Sequence, residues 1–168
     1  MRKVKRILFI CKHNRFRSKV AEAFFNKHNK NKDYVAISAG LLPGRYPLDK
    51  LQSSVAKKFG LKLNGKPKAI TTEVLMKTYL MVIVADNVPP EIFNNEKYGR
   101  KEIVWEIEDS YNDDFDETYK IISKIKEKVM ELIDNPDDFV VSSSGLSNRH
   151  SRKLSNLTNR NIYIEELK

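Results

Sequence analysis

The stretch ILFICKHNRFRSKVAEAFF, residues 7–25, reads as a buried strand, a tight loop and a helix. The run Val4–Ile10 is apolar and β-branched after a basic start, a composition that suits a central parallel strand covered on both faces. Val20, Ala21, Phe24 and Phe25 form the apolar stripe of a helix expected from Ser18 to Lys27, with Ser18 as its cap. Between them stands Cys11, the single cysteine of the chain, with Arg17 six places on. A sulfur that attacks a phosphate must be a thiolate, with backbone N–H groups facing the phosphate oxygens and a bidentate cation holding two of them. A Cys-x5-Arg loop opening onto a helix N-terminus supplies all three, and its positive field favours thiolate over thiol.

The run C-x-x-N-x-x-R-S-x-x-A-E, carried by Cys11, Asn14, Arg17, Ser18, Ala21 and Glu22, resembles the signature of the low-molecular-weight protein tyrosine phosphatases. An isolated cysteine is most often a small buried hydrophobe and a nearby arginine a surface charge. The strand before this pair and the serine after it favour the loop reading, because a motif is trusted in its structural context. The resemblance implies hydrolysis of phosphomonoesters, phosphotyrosine in proteins or small aryl phosphates, through a phosphocysteine on Cys11, with no metal or organic cofactor. The phosphate-binding loop would comprise Lys12, His13, Asn14, Arg15, Phe16, Arg17 and Ser18. Arg17 would hold the phosphate, Ser18 would hydrogen-bond the sulfur, and the Asn14 side chain would tie the loop together. His13 stands where the family usually has a small residue, which leaves the substrate range open. Lys12 and Arg15 would face the pocket rim, a setting that favours acidic phosphopeptides.

With 168 residues, 40% hydrophobic and 32% charged, the chain reads as one soluble globular domain. The basic N-terminus MRKVKRILFIC contains too short an apolar run for a signal sequence or a membrane span. One cysteine precludes an intramolecular disulfide and suits a reducing cytoplasm. The net charge of +9 comes from lysines scattered among acids and reads as a solvated surface. No RNA-binding signature accompanies it, which argues against a nucleic-acid partner. Oligomeric state is not legible.

Further along, Tyr34–Gly40 reads as a second strand ending in a tight turn, and Ser38-Ala39-Gly40 matches a recurring segment of the same family. Leu41–Lys50 is a proline- and glycine-marked loop; in the family it lines the substrate pocket, with Leu41, Leu42 and Tyr46 the candidates here. Leu48, Leu51, Val55 and Phe59 predict an amphipathic helix over 48–59 ending near Gly60. A short helix follows Gly65–Ile70, and Tyr79–Asp86 reads as a third buried strand. Asp86 ends it, where a carboxylate ordinarily caps the next turn. Lys66 stands near the family's usual histidine partner of the loop asparagine, a departure that puts the supporting network in question.

Glu102–Asp109 reads as a fourth strand running into an acidic loop. By resemblance Asp109 is the general acid and base, Ser110 replaces a proline, and Tyr111 is the aromatic flanking the pocket. Losing proline would leave the acid less preorganised. Asp113, Asp114 and Asp116 read as solvated charges or a helix cap. The helix expected over 117–133 turns Tyr119, Ile122, Ile125, Val129 and Leu132 inward. Residues 1–138 form the expected catalytic domain. Residues 139–168, with five basic and two acidic side chains, read as a Ser/Asn-rich extension whose NIYIEE could add an edge strand.

Strands interleaved with helices imply a single-domain, doubly wound, Rossmann-like α/β fold: a four-stranded, mainly parallel sheet with helices on both faces and a C-terminal extension. A neighbouring family shares the loop but reduces arsenate through additional cysteines, which this chain lacks. The remaining alternative is a phosphate- or nucleic-acid-binding module that keeps the loop without the chemistry. Cys11, Arg17 and Asp109 together argue against it, since binding alone requires neither a nucleophile nor an acid.

Overall fold

The computed structural model describes residues 4–46, 48–63, 65–110 and 114–138. Its frame is a parallel sheet of β1 (Lys5–Cys11), β2 (Tyr34–Gly40), β3 (Leu80–Val84) and β4 (Lys101–Trp105), in the order β2-β1-β3-β4. The helices are α1 (Arg17–His28), α2 (Lys50–Lys58), α3 (Thr72–Met76) and α4 (Phe115–Asp134), with a 3-10 turn at Pro90–Phe93.

Strands buried on both faces carry unbroken apolar runs, as Ile7–Ile10 and Leu80–Val84 do, and β1 and β3 therefore take the centre. Side chains alternate across the pleat. Ile7, Phe9, Val82 and Val84 join a core with Val20, Phe24 and Phe25 of α1, Val55 of α2, and Ile122, Ile125, Val129 and Leu132 of α4. Leu8, Ile10, Met81 and Ile83 face the other way, against Val88, Phe93 and the partly buried Val74 and Leu75 of α3. Each fully buried side chain of this size contributes about 1.5–3 kcal/mol. From β2 the chain returns across β1 to β3, so the strand order reverses between β1 and β3. Such a switch point opens a crevice at the strands' C-terminal ends, where Cys11 closes β1.

Several boundaries differ from the expectation. The α1 helix begins at Arg17 with Phe16 at its cap position, so Ser18 lies inside the first turn and caps nothing. Asp49 accepts from the Leu51 amide at 2.7 Å and starts α2 at Lys50, leaving Leu48 before the helix but packed on the core. The β4 ladder stops at Trp105, because the Ile107 amide turns back onto the Trp105 carbonyl at 2.8 Å. Asp114 caps α4 by accepting from the amides of Asp116 and Glu117. Tyr119 does not face inward: it is 44% exposed, lying on Phe59 with ring centres 4.7 Å apart. The expected extension 139–168, with NIYIEE, lies outside the described residues.

At the N-terminal end of the sheet Asp137, just past α4, accepts from Lys5 Nζ at 3.0 Å and from the Tyr79 hydroxyl at 2.7 Å. Lys5 Nζ also donates to the Tyr34 hydroxyl at 3.0 Å. The Tyr79 hydrogen bond, then that of Lys5, holds the Asp137 carboxyl down to about 2.

Candidate active site

The loop from Cys11 to Ser18 joins β1 to α1 through one left-handed residue, Asn14, at φ 50°. Asparagine tolerates this region better than other side chains that carry a Cβ, so the backbone and the side chain of Asn14 serve the loop together. The side chain is 0% exposed. Its Nδ2 donates to Ser18 Oγ and to Ser38 Oγ, both at 2.9 Å, and its Oδ1 accepts from the Lys68 amide at 2.8 Å. Because the Lys68 N–H needs an acceptor, the orientation of the amide follows from its neighbours. Ser38 in turn donates a hydrogen bond to Glu22 Oε2. Ser18, accepting from Asn14, lies 3.1 Å from Cys11 Sγ and has its proton free to donate to a thiolate there.

Neighbouring segments template the loop backbone. The amides of Leu41, Leu42 and Gly44 donate to the carbonyls of Cys11, Lys12 and His13, at 3.2, 2.8 and 3.0 Å. His13 Nδ1 pairs with the Leu42 carbonyl at 2.9 Å, which turns the ring to the neighbouring segment. Gly40 is required by proximity. A Cβ there would lie 2.8 Å from both the Asn14 nitrogen and the His13 carbonyl carbon. Gly44 likewise makes room for the Arg15 side chain, whose Cδ would stand 2.6 Å from a Cβ. Gly40 also bonds in both directions to residues 68–70, a one-residue parallel bridge that delivers the Lys68 amide to Asn14.

Arg17 is 2% exposed. Its Nη1 donates to the Ile107 carbonyl at 2.6 Å and to Asp86 Oδ1 at 3.2 Å. Its Nη2 donates to Asp109 Oδ2 at 2.8 Å and to Asn87 Oδ1 at 3.2 Å. The Ser110 amide also donates to Asp109, at Oδ1 and 3.2 Å. The fold thus brings Cys11, Ser18, Arg17 and Asp109 together at the switch point. Lys19 is buried beside the loop, with Nζ on the Lys66 carbonyl at 3.3 Å. Burial lowers its ammonium below the usual lysine value; Lys68 acts in the same direction, and Glu22 and Cys11 oppose it.

The other expected residues are spread more widely. Phe16 belongs to the core. Lys12 and Arg15 are half-buried. Leu41 packs on the α3 face, Leu42 is exposed, and Tyr46 is 73% exposed. Tyr111 lies outside the described residues. Lys66 supplies a carbonyl to Lys19, and the Asn14 side-chain oxygen accepts from the Lys68 amide. Asp86, expected as a capping carboxylate, instead accepts from Arg17; its place at a strand end, where the resembled family commonly has Met-Asp, is the signal that points to it. Asn87, the Ile107 carbonyl and the Lys68 amide carried no signal, since two are backbone groups and the third follows no pattern. Among the described residues no three His, Cys, Asp or Glu side chains gather closely enough to hold a metal ion.

The profile of the low molecular weight phosphotyrosine protein phosphatase family matches residues 6–142. Among solved structures, the low molecular weight protein tyrosine phosphatase from T. tengcongensis superposes with a TM-score of 0.69 at 25% identity, over 78% of this chain and 99% of that one. An arsenate reductase from Archaeoglobus fulgidus gives 0.60 at 25% identity, over 76% and 98%. The YwlE arginine phosphatase from Geobacillus stearothermophilus gives 0.67 at 16% identity, over 85% and 99%, a likeness of fold alone. No match was found among curated proteins. The family profile spans most of the chain and includes every side chain of the loop network, so the chain belongs to the low molecular weight phosphotyrosine protein phosphatase family.

Proposed function

We propose that this chain is a cysteine-dependent phosphomonoesterase acting on phosphotyrosine in proteins or on small aryl phosphates. One observation carries the reading. A thiol bonded to a serine hydroxyl at 3.1 Å lies in a loop closed by a buried arginine, and that arginine reaches a carboxylate at 2.8 Å. On this reading the proposed nucleophile has a hydroxyl partner, and the proposed phosphate-binding cation holds the proposed proton donor within hydrogen-bond reach.

In the proposed reaction the Cys11 thiolate attacks phosphorus, forming the S–P bond as the P–O bond to the leaving group breaks. Protonated Asp109 transfers its proton to the departing phenolate oxygen. Water then attacks the phosphocysteine, Asp109 takes its proton, and phosphate leaves with the thiolate restored. Arg17 and the loop amides hold the equatorial oxygens throughout, a preorganised arrangement that removes several kcal/mol from such barriers. Ser18 stabilises the sulfur as the leaving group of the second step. With the sulfur as a thiolate, Ser18 donates to it while accepting from Asn14 Nδ2. A thiol relay of the arsenate-reducing kind would need a second cysteine, and this chain has one. No helix among the described residues is long and apolar enough to cross a membrane. The proposed setting is the cytoplasm, where reducing conditions keep the thiol free.

The test is hydrolysis of para-nitrophenyl phosphate and of a phosphotyrosine peptide without added metal, with a phosphoarginine peptide in parallel. Wild type should turn over the two aryl esters, Cys11→Ser should abolish turnover, and Asp109→Asn should lower kcat by about 10²–10⁴-fold. Folded wild type with no activity on either aryl ester would refute the proposal. Preference for phosphoarginine would reassign the substrate.

A further inference from the structure

Arg17 carries its interactions in an order that matters for how phosphate enters. A guanidinium has five N–H donors, and four of these sit on the two terminal nitrogens. All four are engaged: two on Nη1, by Ile107 and Asp86, and two on Nη2, by Asn87 and Asp109. A phosphate oxygen bound to Nη2 must therefore take the place of one of its two acceptors. Asn87 is neutral and follows directly after Asp86, which holds the other nitrogen. Asp109 is the acceptor that the reaction needs elsewhere, at the leaving-group oxygen.

We propose that Asp109 and the phosphate compete for Arg17 Nη2, so that docking of the phosphate releases the acid toward the leaving group. The inference rests on the phosphatase reading of the same loop. The exchange is like for like, one oxyanion for another on a donor that stays in place. Asp86 and the Ile107 carbonyl keep hold of Nη1 and preserve the plane of the guanidinium, whose fork geometry suits a bidentate anion. Phosphate shifts the contact only by its greater affinity for the cradle, which adds loop amides that a carboxylate on one edge of Arg17 does not reach. The acid is thus delivered once a phosphate is seated, which orders the two events.

Two readouts test this, neither requiring turnover. The first is calorimetric binding of inorganic phosphate to wild type, Asp109→Asn and Asp109→Ala. The second is labelling of Arg17 by the neutral reagent phenylglyoxal, read on the Arg17 peptide by mass spectrometry. Competition predicts that phosphate binds about tenfold more tightly to Asp109→Ala, the order of effect expected when a partly buried ion-pair partner is removed. It also predicts that Arg17 labelling rises several-fold in Asp109→Ala and less in Asp109→Asn, whose amide oxygen can still accept from Nη2. Simple charge repulsion would tighten phosphate equally in both variants and leave the labelling at the wild-type rate; that result overturns the exchange while the phosphatase reading stands. Wild type that turns over aryl phosphates but shows unchanged phosphate affinity in both variants overturns it too. Failure of wild type to bind phosphate at all would remove both readings. Circular dichroism establishes that the variants fold, and the near-isosteric Asp109→Asn keeps the test decisive should Asp109→Ala not.

Discussion

Replacing Asn14 by alanine should cost this protein about 4 kcal/mol, a figure built from contacts already described. The change leaves the partly buried Lys68 amide without its acceptor, a loss of about 1–2 kcal/mol. Two donated bonds disappear, to Ser18 and Ser38, worth about 1 kcal/mol each when their partners keep other bonds. Alanine in the left-handed region adds about 1 kcal/mol. Domains of this size are stable by about 5–15 kcal/mol, so the variant should still fold. Its midpoint should drop by about 10 °C, at roughly 2–4 °C per kcal/mol for this length. Urea unfolding followed by circular dichroism gives the free energy, and Asn14→Gly separates the terms. Glycine relieves the backbone strain while losing the same three bonds, so it should be less destabilising than alanine by about 1 kcal/mol. Turnover of para-nitrophenyl phosphate should fall in both variants, because Ser18 loses the bond from Asn14 that holds its hydroxyl beside the sulfur. Two results would refute the reasoning: alanine and glycine equal in stability, or a loss below about 1 kcal/mol with turnover intact.

Two further perturbations follow from the same geometry. Gly40→Ala forces a methyl to within 2.8 Å of two backbone atoms of the loop, neither of which can swing aside. It should cost about 1–3 kcal/mol in thermal unfolding and lower phosphatase turnover disproportionately; unaltered turnover at wild-type stability would show that the loop yields freely. Asp137→Asn tests the cluster at the other end of the sheet. The folded carboxyl is held at about 2, below its unfolded value, so its contribution is present above about pH 4 and is lost as pH falls toward 2. The side chain is 59% exposed, so screening limits the contribution to below about 1 kcal/mol. Stability curves of wild type and variant should run parallel from pH 5 to 8 and converge by pH 2; convergence on the alkaline side instead would reverse the sign of the argument.

The parts of the molecule legible in its sequence are those where one residue type answers to one local constraint. Continuous apolar runs identified the buried strands, and period-3.6 stripes identified α1 and α4. The Cys-x5-Arg spacing located the loop, because a nucleophile and a cation at that separation have few other uses between a strand and a helix. Helix ends were misplaced where a side chain chose among competing bonds. Ser18 is a good capping residue that instead faces a sulfur, and Asp49 stopped a helix that its apolar spacing would have begun earlier. Tyr119 shares the period of the buried stripe but sits at its rim, where a flat ring can rest on Phe59 and stay half in water. The supporting groups of the site were least visible, since backbone amides and carbonyls look alike at every position. Only the fold decides that Lys68 offers its N–H and Ile107 its carbonyl.

The contacts around Asn14 and Arg17 also differ in how much chain they need. Asn14 reaches partners 24 and 54 residues away, all within the first half of the chain. Arg17 reaches partners 69 to 92 residues away, and both acceptors on its shortest bonds lie beyond β4. Closing long loops is slow and comes late when local contacts can form first. A chain emerging from the ribosome can therefore shape its cysteine loop once residue 68 is free, before Asp86 and Asn87 reach the arginine and well before Ile107 and Asp109 do. The two bonds from Arg17 to Ile107 and Asp109 then serve as a built-in indicator that the last strand has docked.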